Sequence, residues 1–262
     1  MKQSWQNYSH LLTKRGRLKD RKFIVEGVRL CREALLSNWK IERAFINEEF
    51  QSDPHWGEFG KRLEAKKIPF IILKNTNFKK LSDTEHPQGI ALVIYQSEAE
   101  IEKLRLNKID LLIILQGIRD PGNLGTIIRS ADWFGAGAVV LSEDCVDLYN
   151  PKVVRSTMGS VFHLPVFDVK QLRQFLEKLR KNHFFILATS VSAKEDLENC
   201  HIKKPVAIVL GGEAEGISPD LMSEVDRAVK IRKFGHAESL NVAQAGSIAL
   251  HYIANQLFNK RK

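Results

Sequence analysis

The run Leu111-Leu112-Ile113-Ile114-Leu115 constrains the fold more than any other stretch of the chain. Five consecutive apolar residues leave no polar face. A strand of this kind has to be covered on both sides, as in a parallel sheet flanked by helices. Apolar runs at 139–141, 184–188 and 207–210 repeat the signal, and 228–231 reads as a fifth, shorter strand. A turn, Asp120-Pro121-Gly122-Asn123, leads into a helix expected over 124–134. Val242, Ala245, Ile248, Ala249, Tyr252 and Ile253 recur at i, i+3, i+4 spacing and mark a terminal amphipathic helix.

The residues before this sheet alternate in the same way. Strands are expected at 23–25, 41–46, 68–73 and 89–95, and helices at 28–35, 59–65 and 77–82. Repeated β and α make a layered α/β unit. Residues 98–108 are charged, lack strong apolar periodicity and read as a linker or exposed helix. The expected organisation is a small amino-terminal α/β domain over 1–97, a linker at 98–108, and a second α/β domain over 109–262.

Charge narrows the partner. Among 262 residues, 40 Lys and Arg face 31 Asp and Glu, a net charge of +9. That excess favours a polyanion, nucleic acid before membrane. Residues 14–22 read KRGRLKDRK, six basic side chains in nine, directly before an apolar stretch. Such a run is either a solvated face or a phosphate-contacting loop. The second reading nominates Lys14, Arg15, Arg17, Lys19, Arg21 and Lys22.

Several classes lack support. Cys31, Cys145 and Cys200 form no CxxC pair, which argues against a zinc ribbon or a thioredoxin motif. Few cysteines and a polar start suggest a reducing compartment, the cytoplasm. No apolar run has the length of a membrane span. The eight histidines show no ligand spacing, so no metal is expected. There is no GxGxxG after a strand, no GxxxxGK[ST] and no GxSxG.

Three polar, glycine-bearing segments remain, each at the carboxyl end of an expected strand, where open α/β sheets place their ligands. They are residues 120–131, 209–218 and 231–242. Taken one at a time, each also reads as helix capping, by Asn123, by Glu213 and Glu215 at a helix start, and by Ser239 or Asn241. Paired Gly211 and Gly212 would let a ligand approach the backbone.

Together and in this order, the three segments resemble the SpoU branch of the SPOUT superfamily, also called the TrmH family of RNA ribose methyltransferases. Its first motif is matched by Asn123, Gly125 and Arg129. The second is matched by Leu210, Gly211, Glu213, Gly216 and Ser218, and the third by Ile231, Gly235, Ser239, Leu240, Asn241 and Val242. Asn150-Pro151-Lys152-Val153-Val154-Arg155 through Pro165 looks like rRNA-type members. Gly16-Arg17, Phe23-Ile24-Val25-Glu26-Gly27 and Pro87-Gln88-Gly89 look like the family's small substrate-binding domain. The chain departs from the pattern at Gly212 and Ala214, where Asn or Ser and Gly are commoner, and at Arg232-Lys233, where Pro-Met is usual.

The resemblance implies a trefoil-knotted carboxyl-terminal domain, although true knots are otherwise nearly absent. It implies S-adenosylmethionine held at Leu210, Gly211, Gly212, Ile231 and Leu240, and a homodimer formed through that domain. It also implies methyl transfer to a ribose 2′-hydroxyl, a group found in RNA and not in DNA. The catalytic set it carries over is Asn123, Arg129, Glu213, Ser239 and Asn241, with Arg155 among the RNA contacts. The family's arginine is proposed as the base. A guanidinium holds its proton to a pH above roughly 12, which leaves two roles for Arg129. It takes the hydroxyl proton with help from an RNA phosphate, or it clamps that phosphate and stabilises a forming alkoxide. Ribosomal RNA is the expected substrate. The alternatives are tRNA and a non-catalytic RNA-binding or assembly factor that kept the fold.

Overall fold

The computed structural model describes residues 5–213 and 215–258. The chain divides into two compact units, Met1–Glu98 with Asp147–His163, and Ala99–Val146 with Leu164–Lys262.

The first unit contains α1 (Lys14–Asp20), β1 (Lys22–Glu26), α2 (Val28–Leu36), β2 (Ile41–Asn47), α3 (Trp56–Ala65), β3 (Phe70–Leu73), α4 (Asn75–Phe78) and β4 (Ile90–Tyr95). Its four strands run in the order β1-β4-β2-β3. β4 is antiparallel to both neighbours, and β2 pairs β3 in parallel. Ile24, Phe45, Ala91 and Val93 share one buried cluster with Tyr8, Leu11, Phe78 and Leu81.

The basic run at 14–22 is not a loop. Residues 14–20 form α1, opened by Thr13, whose hydroxyl accepts from the Gly16 N–H (3.1 Å). Gly16 lies against the His10 carbonyl, where an added Cβ would fall 2.0 Å from the oxygen. A helix with one glycine, mostly charged residues and a single apolar side chain has no apolar stripe to read in the sequence.

The second unit contains β5 (Leu111–Gln116), α5 (Pro121–Trp133), β6 (Ala138–Ser142), β7 (Val166–Val169), α7 (Leu172–Lys181), β8 (Phe185–Thr189), β9 (Glu195–Asp196), β10 (Val206–Gly211), α8 (Pro219–Met222), β11 (Arg227–Lys230) and α9 (Val242–Phe258). All seven strands pair in parallel, in the order β7-β6-β5-β10-β8-β11-β9. The apolar run on β5 sits beside β10 and β6 and is fully buried, as its composition requires. One face of the sheet packs Leu112, Ile114, Val140, Ala207 and Val209 against Phe175, Leu176 and Leu179 of α7. On the other, Leu210 meets Gly246 of α9. α5 and α9 touch at the Ser130 and Ser247 hydroxyls (2.8 Å) and at the Phe134 and His251 rings (5.7 Å).

Two boundaries differ from the sequence expectation. Residues 147–163, including α6 (Pro151–Thr157), pack with the first unit. The reason is tertiary. The Tyr149 ring lies 4.7 Å from Phe23, and Phe162 meets Trp39 at 5.4 Å. The Arg17 guanidinium closes on Asp147, with Nη2 at 2.6 Å. Residues 98–108 are not a detached linker either. Leu106 is buried in the core of the second unit, with Ile101 and Leu104 packed against it. Two short 3-10 turns, Ile101–Lys103 and Leu106–Lys108, give these apolar residues neither a 3.6 nor a 2.0 period.

Candidate active site

Three chain segments converge at the carboxyl ends of the central strands. α5 begins at Asp120, whose carboxylate accepts from the Asn123 N–H (2.8 Å), and Pro121 fills the first turn. This fixes Asn123, whose Nδ2 donates to Glu213 Oε1 (2.8 Å). Asn241 caps α9, with its Oδ1 accepting from the Ala243 N–H (2.9 Å). Its Nδ2 donates to Glu213 Oε1 (2.7 Å) and to Asn123 Oδ1 (3.0 Å). One carboxylate oxygen is therefore held by two amides that are also bonded to each other.

The loop after β10 is shaped by backbone packed on backbone. A Cβ on Gly211 would fall 2.2 Å from the Gly216 carbonyl carbon, and one on Gly212 2.3 Å from the Gly117 oxygen. The paired glycines thus fold the loop on itself and against 117, which is a different use from admitting a ligand. Gln116, the polar end of the β5 run, fastens the loop by a reciprocal pair. Its Nε2 donates to the Ser218 hydroxyl (3.0 Å) and its Oε1 accepts from the Ser218 N–H (2.9 Å).

These segments enclose a cavity of about 280 Å³, near the lower edge of the roughly 300–1,000 Å³ common for small-molecule sites. Its walls include Gln116, Ile118, Asn123, Asp144, Glu213 and Val242. Sequence reasoning missed Gln116 and Asp144. Asp144 follows β6 at a strand carboxyl end, the position that the sheet rule marks. Beside it, burial pushes the Cys145 thiol above its ordinary value, so Cys145 is a poor nucleophile.

Other expected residues lie elsewhere. Leu210 is in the core, its side chain under α9. Gly212 is on the cavity wall, whereas Gly211, Ile231 and Leu240 are not among its lining residues. Ser239 and Arg129 are exposed and outside the amide–carboxylate cluster. Arg129 lies six residues along α5 from Asn123, about 9 Å of rise. It has no hydrogen bond or ion pair among the described residues.

The expected basic patch is reduced. Arg17 is buried, with Nε and Nη2 on Asp147 Oδ2 (2.9 and 2.6 Å) and Nη1 on the Leu11 and Leu12 carbonyls (3.1 and 2.9 Å). It is a structural residue. Lys22 is ion-paired to Glu42 (2.6 Å) and lies over the Tyr95 ring. Arg155 pairs with Asp83 (2.8 Å). Lys14, Arg15, Lys19 and Arg21 stay exposed.

With this geometry in place, likeness to known proteins decides the family. Residues 110–251 match the model of the SpoU rRNA Methylase family, and 4–92 match the MRM3-like substrate binding domain. The chain belongs to the SpoU rRNA methylase family. It is accordingly an RNA methyltransferase that uses S-adenosylmethionine. The 23S rRNA (guanosine(2553)-2′-O)-methyltransferase RlmP of Bacillus subtilis is 30% identical over 96% of both chains. An S-adenosylmethionine-bound rRNA methyltransferase from Sinorhizobium meliloti superposes with a TM-score of 0.85 at 27% identity, over 97% of this chain and 94% of that one. The SpoU methyltransferase AviRb from Streptomyces viridochromogenes, in complex with the same cofactor, gives 0.85 at 25% identity over 96% of both chains.

The residues present fit that cofactor. Asp120, Asp144, Glu213 and Glu215 supply negative charge for a sulfonium and an ammonium, and Arg119 a partner for a carboxylate. Between β11 and α9, the segment from Ile231 to Asn241 has no regular structure. No backbone N–H from Lys233 to Leu240 has a partner among the described residues. Half-buried Ile231 and exposed Leu240 offer apolar surface at its two ends.

Among the described residues, no helix is long and apolar enough to cross a membrane. None of their His, Cys, Asp and Glu side chains gather in a group of three or more able to hold a metal.

Proposed function

We propose that this chain methylates a ribose 2′-hydroxyl of ribosomal RNA. The observation that carries the proposal is the meeting of Asn123, Glu213 and Asn241, from three distant segments, on one carboxylate oxygen. The name of the Bacillus subtilis relative, matched along nearly its whole length, supports ribosomal over transfer RNA.

When bound, S-adenosylmethionine would supply an electrophilic methyl on a sulfonium, with a neutral thioether as the leaving group. The chain supplies position, and holding both reactants accounts for about 7–11 kcal/mol of a barrier. Glu213, pinned by two amides, fixes the loop after β10 and orients Asn123. Among the described residues Glu213 Oε2 takes no hydrogen bond, so it can receive one from the ribose. Arg129, without a hydrogen bond or ion pair among the described residues, binds the RNA phosphate beside the target ribose and stabilises the hydroxyl oxygen as its proton passes to water. Ser239 shapes the ribose side, Ile231 and Leu240 hold the donor, and Gly211 and Gly212 keep the loop after β10 folded beside it.

The RNA backbone is gripped by Lys14, Arg15, Lys19 and Arg21, exposed on and just after α1. Each phosphate contact adds about 0.7–0.9 to the slope of log affinity against log salt. Changing all four to Ala is therefore expected to flatten that slope by about 3 in filter binding to rRNA. An unchanged slope would remove α1 from the interface.

The chain works in the cytoplasm as a homodimer paired through its second unit. Trp133 on α5, 84% exposed, and Ile248 on α9 support that pairing, and sedimentation velocity reads it directly. The carboxyl-terminal path is knotted, as membership of the family implies.

The test of the activity uses methyl-labelled S-adenosylmethionine with separated rRNA and tRNA, followed by digestion to nucleosides. Label is expected in a 2′-O-methyl nucleoside from rRNA. Label confined to tRNA, or absent from both free rRNA and ribosomal particles, would overturn the proposal.

A further inference from the structure

Among the described residues, the segment 231–241 is tethered between its ends by the side chain of Arg232. Arg232, standing where the family pattern has proline, donates from Nε and Nη2 to Asp196 Oδ2 (3.0 and 2.9 Å). Its Nε also lies 3.6 Å from Glu198 Oε2. The acidic side of this contact is fixed. Asp196 is on β9, paired in register with Lys230 of β11, and its side chain is only 18% exposed. The Glu198 carbonyl accepts from the Tyr252 hydroxyl of α9 (2.6 Å). A guanidinium just before a stretch, 233–240, whose backbone N–H groups have no partner among the described residues is thus tied to the edge strand of the sheet.

We propose that Arg232 is a positioning residue for the methyl donor, holding the segment 231–241 in the shape that receives it. The proposal rests on the reading that this segment holds S-adenosylmethionine. Proline at this position would restrict the backbone directly, through its ring. Arginine achieves restriction from a distance, by a two-nitrogen contact to one carboxylate. Without it, the hydrogen bonds that anchor Lys233 to Leu240 among the described residues are those of β11 before them and of the Asn241 cap after them. Ordering that segment then falls on the binding step and lowers affinity. The size of the effect is set by a half-exposed ion pair, so it is modest and sensitive to salt.

The test is calorimetric titration of S-adenosylmethionine into the full chain, for the wild type, Arg232→Ala, Arg232→Lys, Asp196→Ala and the Arg232→Ala/Asp196→Ala double variant. Amide hydrogen exchange over 233–240 is followed in parallel without donor. Each alanine variant is expected to raise Kd by about two- to fivefold at low salt. The double variant should be no worse than either single one. The Lys variant should recover only part of the loss, because it keeps the charge and loses the planar fork. Exchange at 233–240 should quicken in Arg232→Ala. A Kd unchanged in both alanine variants, exchange unaltered, or a double-variant loss equal to the product of the single losses would overturn the proposal. If the wild type itself binds no donor, the underlying placement fails, and the inference falls with it. Wild-type binding matched by Arg232→Ala sinks the inference alone.

Discussion

Arg129→Ala is expected to slow methyl transfer by about 10²- to 10³-fold, the loss typical of removing one donor that stabilises developing charge, about 2.7–4 kcal/mol. Its affinity for S-adenosylmethionine should stay near that of the wild type. The argument is positional. Arg129 lies about 9 Å of helical rise beyond Asn123, and nothing in the chain engages it among the described residues. A cation left exposed and unpaired, on the helix whose start builds the site, is available to a substrate anion. Its loss therefore breaks no hydrogen bond or ion pair among the described residues, and the variant should melt at the wild-type temperature. Arg129→Lys separates the two roles. If the residue clamps a phosphate through a planar fork, lysine restores little. If it accepts the hydroxyl proton, lysine, with its lower pKa, should restore more and shift the pH–rate profile downward. Single-turnover rates on rRNA across pH read both. A variant with wild-type turnover would remove Arg129 from the reaction.

What could be read from the sequence depended on whether one residue's neighbours carried the signal. Leu111 to Leu115 is legible because burial on both faces leaves a mark on five adjacent letters. Asn123, Glu213 and Asn241 are legible because motif spacing survives in one chain, even though their contacts span 28 to 118 positions. The physical role of Gly211 and Gly212 was only half visible. Glycine announces a close approach, but whether ligand or backbone approaches is decided in space. Arg17 illustrates the opposite case. Within KRGRLKDRK nothing distinguishes it from Arg15 or Lys19. Helix α1 turns Arg17 inward, and Asp147, 130 positions away, neutralises it. The transfer of residues 147–163 to the first unit was hidden for the same reason. It depends on Tyr149 and Phe162 meeting Phe23 and Trp39, rings whose letters reveal nothing of their partners.

That buried pair carries the largest stability effect expected in this chain. Arg17→Ala would leave the Asp147 carboxylate, 14% exposed, without its cation. It would also strip the Leu11 and Leu12 carbonyls of the Nη1 donor they share. Breaking a buried pair by removing one partner costs about 3–5 kcal/mol, because the remaining charge is neither solvated nor matched. At a urea slope of about 1–3 kcal/mol/M, the unfolding midpoint should fall by about 1–5 M. Tryptophan fluorescence is the suitable probe, since Trp5, Trp39 and Trp56 lie in the first unit and only Trp133 in the second. Trp39 also stands beside Tyr149 and Phe162 on the 147–163 segment. Arg17→Lys should recover little, since an ammonium cannot reach Asp147 and both carbonyls with the geometry of the fork. Replacing both partners, as in Arg17→Met with Asp147→Leu, should cost much less than Arg17→Ala alone, because it removes the charge as well as its partner. RNA affinity provides the contrasting readout. If Arg17 is structural, the paired apolar replacement keeps the salt slope of RNA binding. If that slope drops by about 1, Arg17 touches a phosphate after all, and its burial against Asp147 is not the state that binds RNA.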